Sequence, residues 1–190
     1  MKKFKIIAII IFLVVVVAIS IRMKKNKYVT DPDNPNLLFE IDTWDKKTNE
    51  VIAGLNKRII KDATKFINHA EKQGFKLRVY SGFRSFVEQG DLYEQGRSKP
   101  GKIVTNAKPG KSLHNYGLAF DLVEIKDGKA LWENPNWGKI GEMGKLFGFS
   151  WGGDWKMTDL VDKPHFENRF GKTTGEYLAL VESGKNENEV

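Results

Sequence analysis

The stretch Ser112-Leu113-His114-Asn115-Tyr116-Gly117-Leu118-Ala119-Phe120-Asp121 constrains the fold more than any other, because it sets an imidazole and a carboxylate seven residues apart across a glycine. A turn at Gly117 lets a loop carrying His114 fold back onto a strand that begins at Leu118, and alternation along Leu118 to Asp121 sets the face to which Asp121 points. Two ligands for one cation can then meet. A catalytic zinc centre takes three protein ligands from His, Asp, Glu or Cys and keeps a fourth position for water, so a third donor has to come from elsewhere in the chain. There is no cysteine, and the other histidines are His69 and His165. His165 lies in Asp162-Lys163-Pro164-His165-Phe166-Glu167, a polar and aromatic patch with a carboxylate three residues ahead of the imidazole. His69 falls one step off an apolar stripe, among Lys65, Glu71 and Lys72, and reads as a solvated surface residue.

The distribution of charge narrows the classes of partner. Net charge is +7, but Lys2, Lys3, Lys5, Arg22, Lys24, Lys25 and Lys27 precede any acid, which leaves 24 basic residues against 24 acidic ones. The excess belongs to the N-terminal segment and the body is formally neutral, so the net charge is not a nucleic-acid footprint, which needs a basic face on the folded domain. Within that segment Ile6 to Ile21 is apolar apart from Ser20. As a helix it measures about 24 Å against a hydrocarbon core of roughly 30 Å, a gap that the flanking Lys and Arg close by snorkelling. Residues 1–27 are therefore expected to form a single-pass membrane anchor, with the domain outside the cytoplasmic membrane. The alternative is a secretory signal, for which Ala18-Ile19-Ser20 supplies a small-residue cleavage site.

The rest of the 190 residues suits one ordinary domain. Asp31-Pro32-Asp33-Asn34-Pro35 reads as part of a linker over 28–36, the folded domain is expected over 37–183, and 184–190 reads as a disordered tail. Leu55, Ile59, Ala63, Phe66, Ile67 and Ala70 recur at helical spacing and end at Gly74. Lys76 to Tyr80 alternates as a strand and runs into Ser81-Gly82-Phe83-Arg84-Ser85, after which Ser85 and Glu88 form a capping box for a helix through Tyr93. Arg84 thus sits at a strand-to-helix junction. Lys126-Asp127-Gly128-Lys129 signals a hairpin, Trp137, Ile140, Met143, Leu146 and Phe147 mark another helix, and Thr173 with Glu176 caps a last one. Trp151-Gly152-Gly153-Asp154-Trp155 places two tryptophans on a glycine-rich turn, where they belong to the core or to one wall of a cleft. Helices and antiparallel strands mix without a regular βαβ alternation, which predicts an α+β fold.

Several ordered motifs together resemble the zinc peptidases of the D-alanyl-D-alanine carboxypeptidase group. They are Ser81 to Ser85, Leu92 to Arg97, Gly101 to Ala107, the Ser-x-His-x-x-Gly-x-Ala-x-Asp stretch, Trp151 to Trp155 and Pro164-His165-Phe166. Asp162 three residues before His165, followed by Pro-His-Phe, is most similar to the L-alanyl-D-glutamate endopeptidase branch. The resemblance implies a small domain with a central antiparallel sheet flanked by helices, and zinc held by His114, Asp121 and His165. It further implies Asp162 as catalytic base, Arg84 as electrophilic helper and the stem peptides of peptidoglycan as substrate.

The residue chemistry agrees. A carboxylate near the metal takes a proton from water and passes it to the leaving amine; Asp162 is placed for this, with Glu167 as runner-up, and a position orienting His165 is the other role open to Asp162. A guanidinium fork at Arg84 suits an oxyanion or a substrate carboxylate. A cysteine peptidase mechanism finds no support, since the chain has no cysteine. The expected function is hydrolysis of the L-Ala to D-Glu bond. Its alternatives are a D-alanyl-D-alanine carboxypeptidase and a catalytically idle, metal-containing wall-binding module. Oligomeric state is not set by the sequence.

Overall fold

The computed structural model describes residues 27–31, 33–156 and 161–186. The membrane segment expected over 1–27 lies outside the described residues but for Lys27, and so do residues 187–190 of the expected tail. Among the described residues no helix is long and apolar enough to cross a membrane.

The apolar stripe read from the sequence becomes α2 (Lys57–Lys72), preceded by α1 (Lys46–Ala53). Asn56 caps α2 by accepting a hydrogen bond from the Arg58 N–H, and Ile59, Ile60, Ala63, Phe66, Ile67 and Ala70 are buried. Asp45 caps α1, its carboxylate accepting from the Thr48 N–H at 3.1 Å and from the Arg78 Nε at 2.8 Å. Periodicity gave no sign of α1, whose buried residues are only Thr48 and Ile52.

Behind the helices lies an antiparallel sheet built on β3 (Leu77–Ser81), β4 (Ala119–Lys126), β5 (Lys129–Leu131), β6 (Ser150–Trp151) and β7 (His165–Glu167). The path runs β3-β4-β7-β6, and β5 pairs with the far end of β4 through the expected hairpin. Between strands stand α3 (Phe86–Glu94) and α4 (Trp137–Leu146), with α5 (Thr174–Glu182) closing the chain; α3 and α5 carry both halves of their capping boxes. The architecture is α+β, as the mixed pattern predicts.

Alternation gives β4 and β7 two unlike faces. Phe120 and Phe166 point to the helices, each fully buried, and join Phe66 of α2 and Phe149 in a ring cluster with centroids 5.0–6.5 Å apart. Each ring removed from water contributes about 2–3 kcal/mol, so this face anchors both strands. The other face carries Asp121 and His165.

The segment 28–36 is not a linker. It forms β1 (Tyr28–Asp31) and, with the residues that follow, β2 (Asn34–Glu40), paired antiparallel from Tyr28 opposite Glu40 to Asp31 opposite Asn34. Polar, proline-bearing composition pointed to a linker, but a two-stranded ribbon is all edge and tolerates Pro35. Lys61 of α2 ties it down, with its Nζ 2.9 Å from the Asp31 carboxylate and 2.7 Å from that of Asp33.

Candidate metal centre and active site

The 3₁₀ turn Leu113–Tyr116 presents His114. The Ser112 side chain accepts from the His114 N–H to start the turn, and Gly117 ends it at φ 63°, a left-handed conformation that glycine adopts without strain. Asn115, fully buried, locks the turn to its surroundings: its amide donates to the Arg84 carbonyl at 2.8 Å and accepts from the Gly110 N–H at 3.0 Å. The chain then enters β4, where Asp121 is the direct cross-strand partner of His165 on β7 and of Ser81 on β3. Such partners share a face, which is how residues distant in sequence meet.

His114 Nε2 lies 3.3 Å from Asp121 Oδ1 and 3.3 Å from His165 Nδ1, and His165 Nδ1 lies 3.0 Å from Asp121 Oδ1. The other nitrogen of each ring is engaged. His114 Nδ1 lies 2.7 Å from the Gly82 carbonyl oxygen, which only accepts, so Nδ1 carries the proton. His165 Nε2 lies 3.1 Å from Glu167 Oε2 and donates to that carboxylate. His114 Nε2 and His165 Nδ1 therefore both face one oxygen of Asp121, and three potential donor atoms converge. Such a point draws positive charge. Burial opposes an imidazolium at His165, yet the Asp121 and Glu167 carboxylates outweigh it and raise His165 to about 9. Burial likewise opposes charge on Asp121, and His114 and His165 overcome it, holding this carboxyl far below its ordinary range.

The donor set fits a zinc ion. Tetrahedral coordination at about 2.0–2.1 Å places neighbouring donor atoms roughly 3.3 Å apart, close to the separations found. Both imidazoles are buried, whereas the Asp121 side chain keeps 22 % of its surface exposed, so the group opens on one side to a cleft. His69 takes no part in this group; it lies half-buried with its ring 5.5 Å from that of Phe147, and is less solvated than its charged neighbours imply.

The cleft has a volume of about 460 Å³, and Asp162, Arg84 and Trp155 line it beside the three donors. Asp162 is brought in by a tight turn: its carbonyl accepts from the His165 N–H at 3.1 Å, and its own N–H donates to the Gly152 carbonyl at 3.2 Å. A side chain at Gly152 would collide with the Asp162 carbonyl and press on His165, so this glycine is required by close approach. Burial, and then the Asp121 charge, push the Asp162 carboxyl up. Trp151 pins the same turn by donating from Nε1 to the Lys163 carbonyl at 2.7 Å, while the Trp155 ring stands 5.2 Å from that of His165. One tryptophan thus braces the turn and the other forms a cleft wall.

Arg84 follows β3 and is held by Gln89 Oε1 at 2.9 Å and Ser81 Oγ at 3.2 Å. Gln89, fully buried on α3, also donates to the Ala107 carbonyl at 2.7 Å. Sequence reasoning passed over Gln89, since a lone polar residue in a short helix resembles a surface residue. It also weighed Glu167 as a base. Both oxygens of that carboxylate are engaged, one on His165 and the other on Arg169 Nε at 2.7 Å. Burial pushes Glu167 up, and the hydrogen bond from His165 reverses this and lowers it.

Comparison with known proteins agrees with this geometry. CwlK of Bacillus subtilis, a peptidoglycan L-alanyl-D-glutamate endopeptidase, is 46% identical over 108 residues, which cover 52% of this chain and 64% of CwlK. The chain therefore spans somewhat less than two thirds of that relative. Among solved structures, the L-Ala D-Glu endopeptidase ChiX of Serratia marcescens superposes with a TM-score of 0.52 at 23% identity, over 69% of this chain and 92% of ChiX. The LD-carboxypeptidase LdcB does so with a TM-score of 0.50 at 15% identity, over 85% of this chain and 75% of LdcB. Both speak for a common fold. The sequence pattern of the D-alanyl-D-alanine carboxypeptidase (VanY) family matches residues 53–171, a span that holds the three converging donors together with Asp162 and Arg84, and the chain belongs to that family.

Proposed function

We propose that this protein is a zinc-dependent peptidase that hydrolyses the stem peptide of peptidoglycan at the L-Ala to D-Glu bond. The observation that carries the reading is the convergence of His114 Nε2, Asp121 Oδ1 and His165 Nδ1, with the other nitrogen of each ring held by Gly82 or Glu167, at the wall of a cleft that also holds Asp162 and Arg84. His114, Asp121 and His165 would hold the metal, which supplies Lewis acidity toward a water molecule and an amide carbonyl. Asp162 accepts the proton of the attacking water at its carboxylate and returns it to the leaving amine. Glu167 is unsuited to that step, because both its oxygens already serve His165 and Arg169. Arg84, fixed by Gln89 and Ser81, donates to the oxygen on which negative charge develops. A catalytically idle binding module has no use for a carboxylate and a guanidinium beside an open metal position.

The identity to CwlK favours the endopeptidase over a carboxypeptidase. The apolar segment Ile6 to Ile21 supports placing the domain outside the cytoplasmic membrane on an N-terminal anchor. The test is to incubate zinc-loaded protein with a muropeptide bearing a complete pentapeptide stem and identify the products by mass. Release of a tetrapeptide beginning with D-Glu is expected. Release of D-Ala alone would assign the second reading, a D-alanyl-D-alanine carboxypeptidase, and no cleavage would return the binding module.

A further inference from the structure

The cleft does not end at the donor cluster. A second basin of about 470 Å³ adjoins it, and the two share Trp155, Glu167 and Arg169 as walls. Lys145, at the rim of this basin, is already neutralised by Asp154 and Glu142. Arg169 differs. Its Nε donates to Glu167, the carboxylate that also holds His165, while its two terminal amino groups meet no acceptor among the described residues. Its backbone is fixed, the Arg169 carbonyl accepting from the Lys172 N–H at 2.9 Å and from the Tyr177 hydroxyl at 2.8 Å. A guanidinium anchored at Nε, half exposed and aimed at the junction of two cavities, is prepared for a planar anion.

Substrate chemistry says which anion belongs there. In the stem peptide the chain continues from D-Glu through its γ-carboxyl, so the residue after the scissile L-Ala to D-Glu bond bears a free α-carboxylate two bonds from the scissile nitrogen. A cation that reads this group must stand beside the metal donors, and Arg169 reaches them through a single carboxylate. Resting on the peptidase reading above, we propose that Arg169 docks the free α-carboxylate of the residue that follows the scissile bond, and that the second basin receives the chain continuing from that residue. A terminal D-Ala presents the same carboxylate with nothing beyond it, so the basin is what separates an endopeptidase substrate from a carboxypeptidase one.

The experiment measures binding, so that it stands apart from turnover. Full-length, zinc-loaded Asp162→Asn protein is titrated with L-Ala-γ-D-Glu-L-Lys, with the same peptide amidated at the D-Glu α-carboxyl, and with a peptide ending in D-Ala-D-Ala. The free acid is expected to bind on the order of 10- to 100-fold more tightly than the amide. Adding Arg169→Gln should erase that preference while the amide binds as before and zinc content holds, and Arg169→Lys should restore part of it. The γ-linked acid should outbind the D-Ala-D-Ala peptide. A preference that persists in the Arg169→Gln background, or an equal loss for acid and amide, overturns the assignment of Arg169. Tighter binding of the D-Ala-D-Ala peptide overturns the role of the basin. Failure of the peptidase reading shows separately, as protein with native Asp162 that binds with these preferences and cuts nothing.

Discussion

The two faces of β4 and β7 are made by alternate residues of the same strands, yet they are held by different physics. On the helix side Phe120 and Phe166 are buried among other rings, and their contribution depends on area and fit. On the cleft side Asp121, His165 and Glu167 stand on the same strands, and the burial of His165 and Glu167 is tolerable because both ring nitrogens and both carboxylate oxygens have polar partners. The first face tolerates changes of shape that keep volume. The second depends on particular atoms, and its cost in isolated charge is offset by a cation. One face sets how firmly the strands stand, and the other sets what they do.

Breaking the cleft face at its centre should have the largest effect. His165→Ala removes one donor and frees Glu167, so metal content and hydrolysis should both be lost while the far-ultraviolet circular dichroism of the fold persists; His69→Ala should change neither. Stoichiometric zinc at full affinity in His165→Ala would remove His165 from the site. Next, Phe166→Ala breaks the core face one residue away. It should cost about 3–5 kcal/mol of unfolding free energy in denaturant titration, with residual activity in the fraction that stays folded. A cost below 1 kcal/mol would mean that the strands are not anchored by the ring cluster.

Asp162→Asn sharpens the comparison, since it keeps shape and removes only a proton acceptor. Turnover should fall on the order of 100-fold with zinc retained. Near-normal turnover in zinc-verified protein would move the base elsewhere. The smallest effect lies outside both faces, at the Asp45 cap of α1. Burial pushes the Asp45 carboxyl up, but hydrogen bonds from Arg78 and Thr48 outweigh it and hold the carboxyl below its ordinary value. A lowered folded-state value means that the stabilisation is complete above the unfolded value of about 3.9 and is lost as pH falls through the folded one. Asp45→Ala should therefore cost about 1–2 kcal/mol at pH 7, and its deficit against the native protein should shrink below pH 4. A deficit independent of pH would detach the effect from the carboxylate.

Much of this was legible in the sequence because it followed from periodicity. Alternation before Asp121, the glycine after the His114 turn and the capping boxes at Ser85 and Thr173 each express a local rule, and each appears where expected. The donors His114, Asp121 and His165 come together as read, because strand pairing carries a local pattern across the sheet. Features that depend on distant partners were not legible. Nothing in Asp31 or Asp33 reveals that Lys61, far along the chain, turns a linker-like stretch into a ribbon. Gln89 and Glu167 look alike on paper, as polar residues in short elements, and only the fold shows one fixing Arg84 and the other fixing His165. The glycine pair in Trp151 to Trp155 read only as a turn, and the close approach of the Asp162 carbonyl to Gly152 emerges with the fold.

The central claim is that three donors meet with their lone pairs facing one cation. The most direct measurement is anomalous diffraction at the zinc absorption edge from crystals grown with one equivalent of zinc. The account predicts a single peak about 2.0–2.1 Å from His114 Nε2, His165 Nδ1 and an oxygen of Asp121, with the Gly82 and Glu167 hydrogen bonds intact. A peak at His69, or one held by Asp162 or Glu167 in place of Asp121, would contradict it.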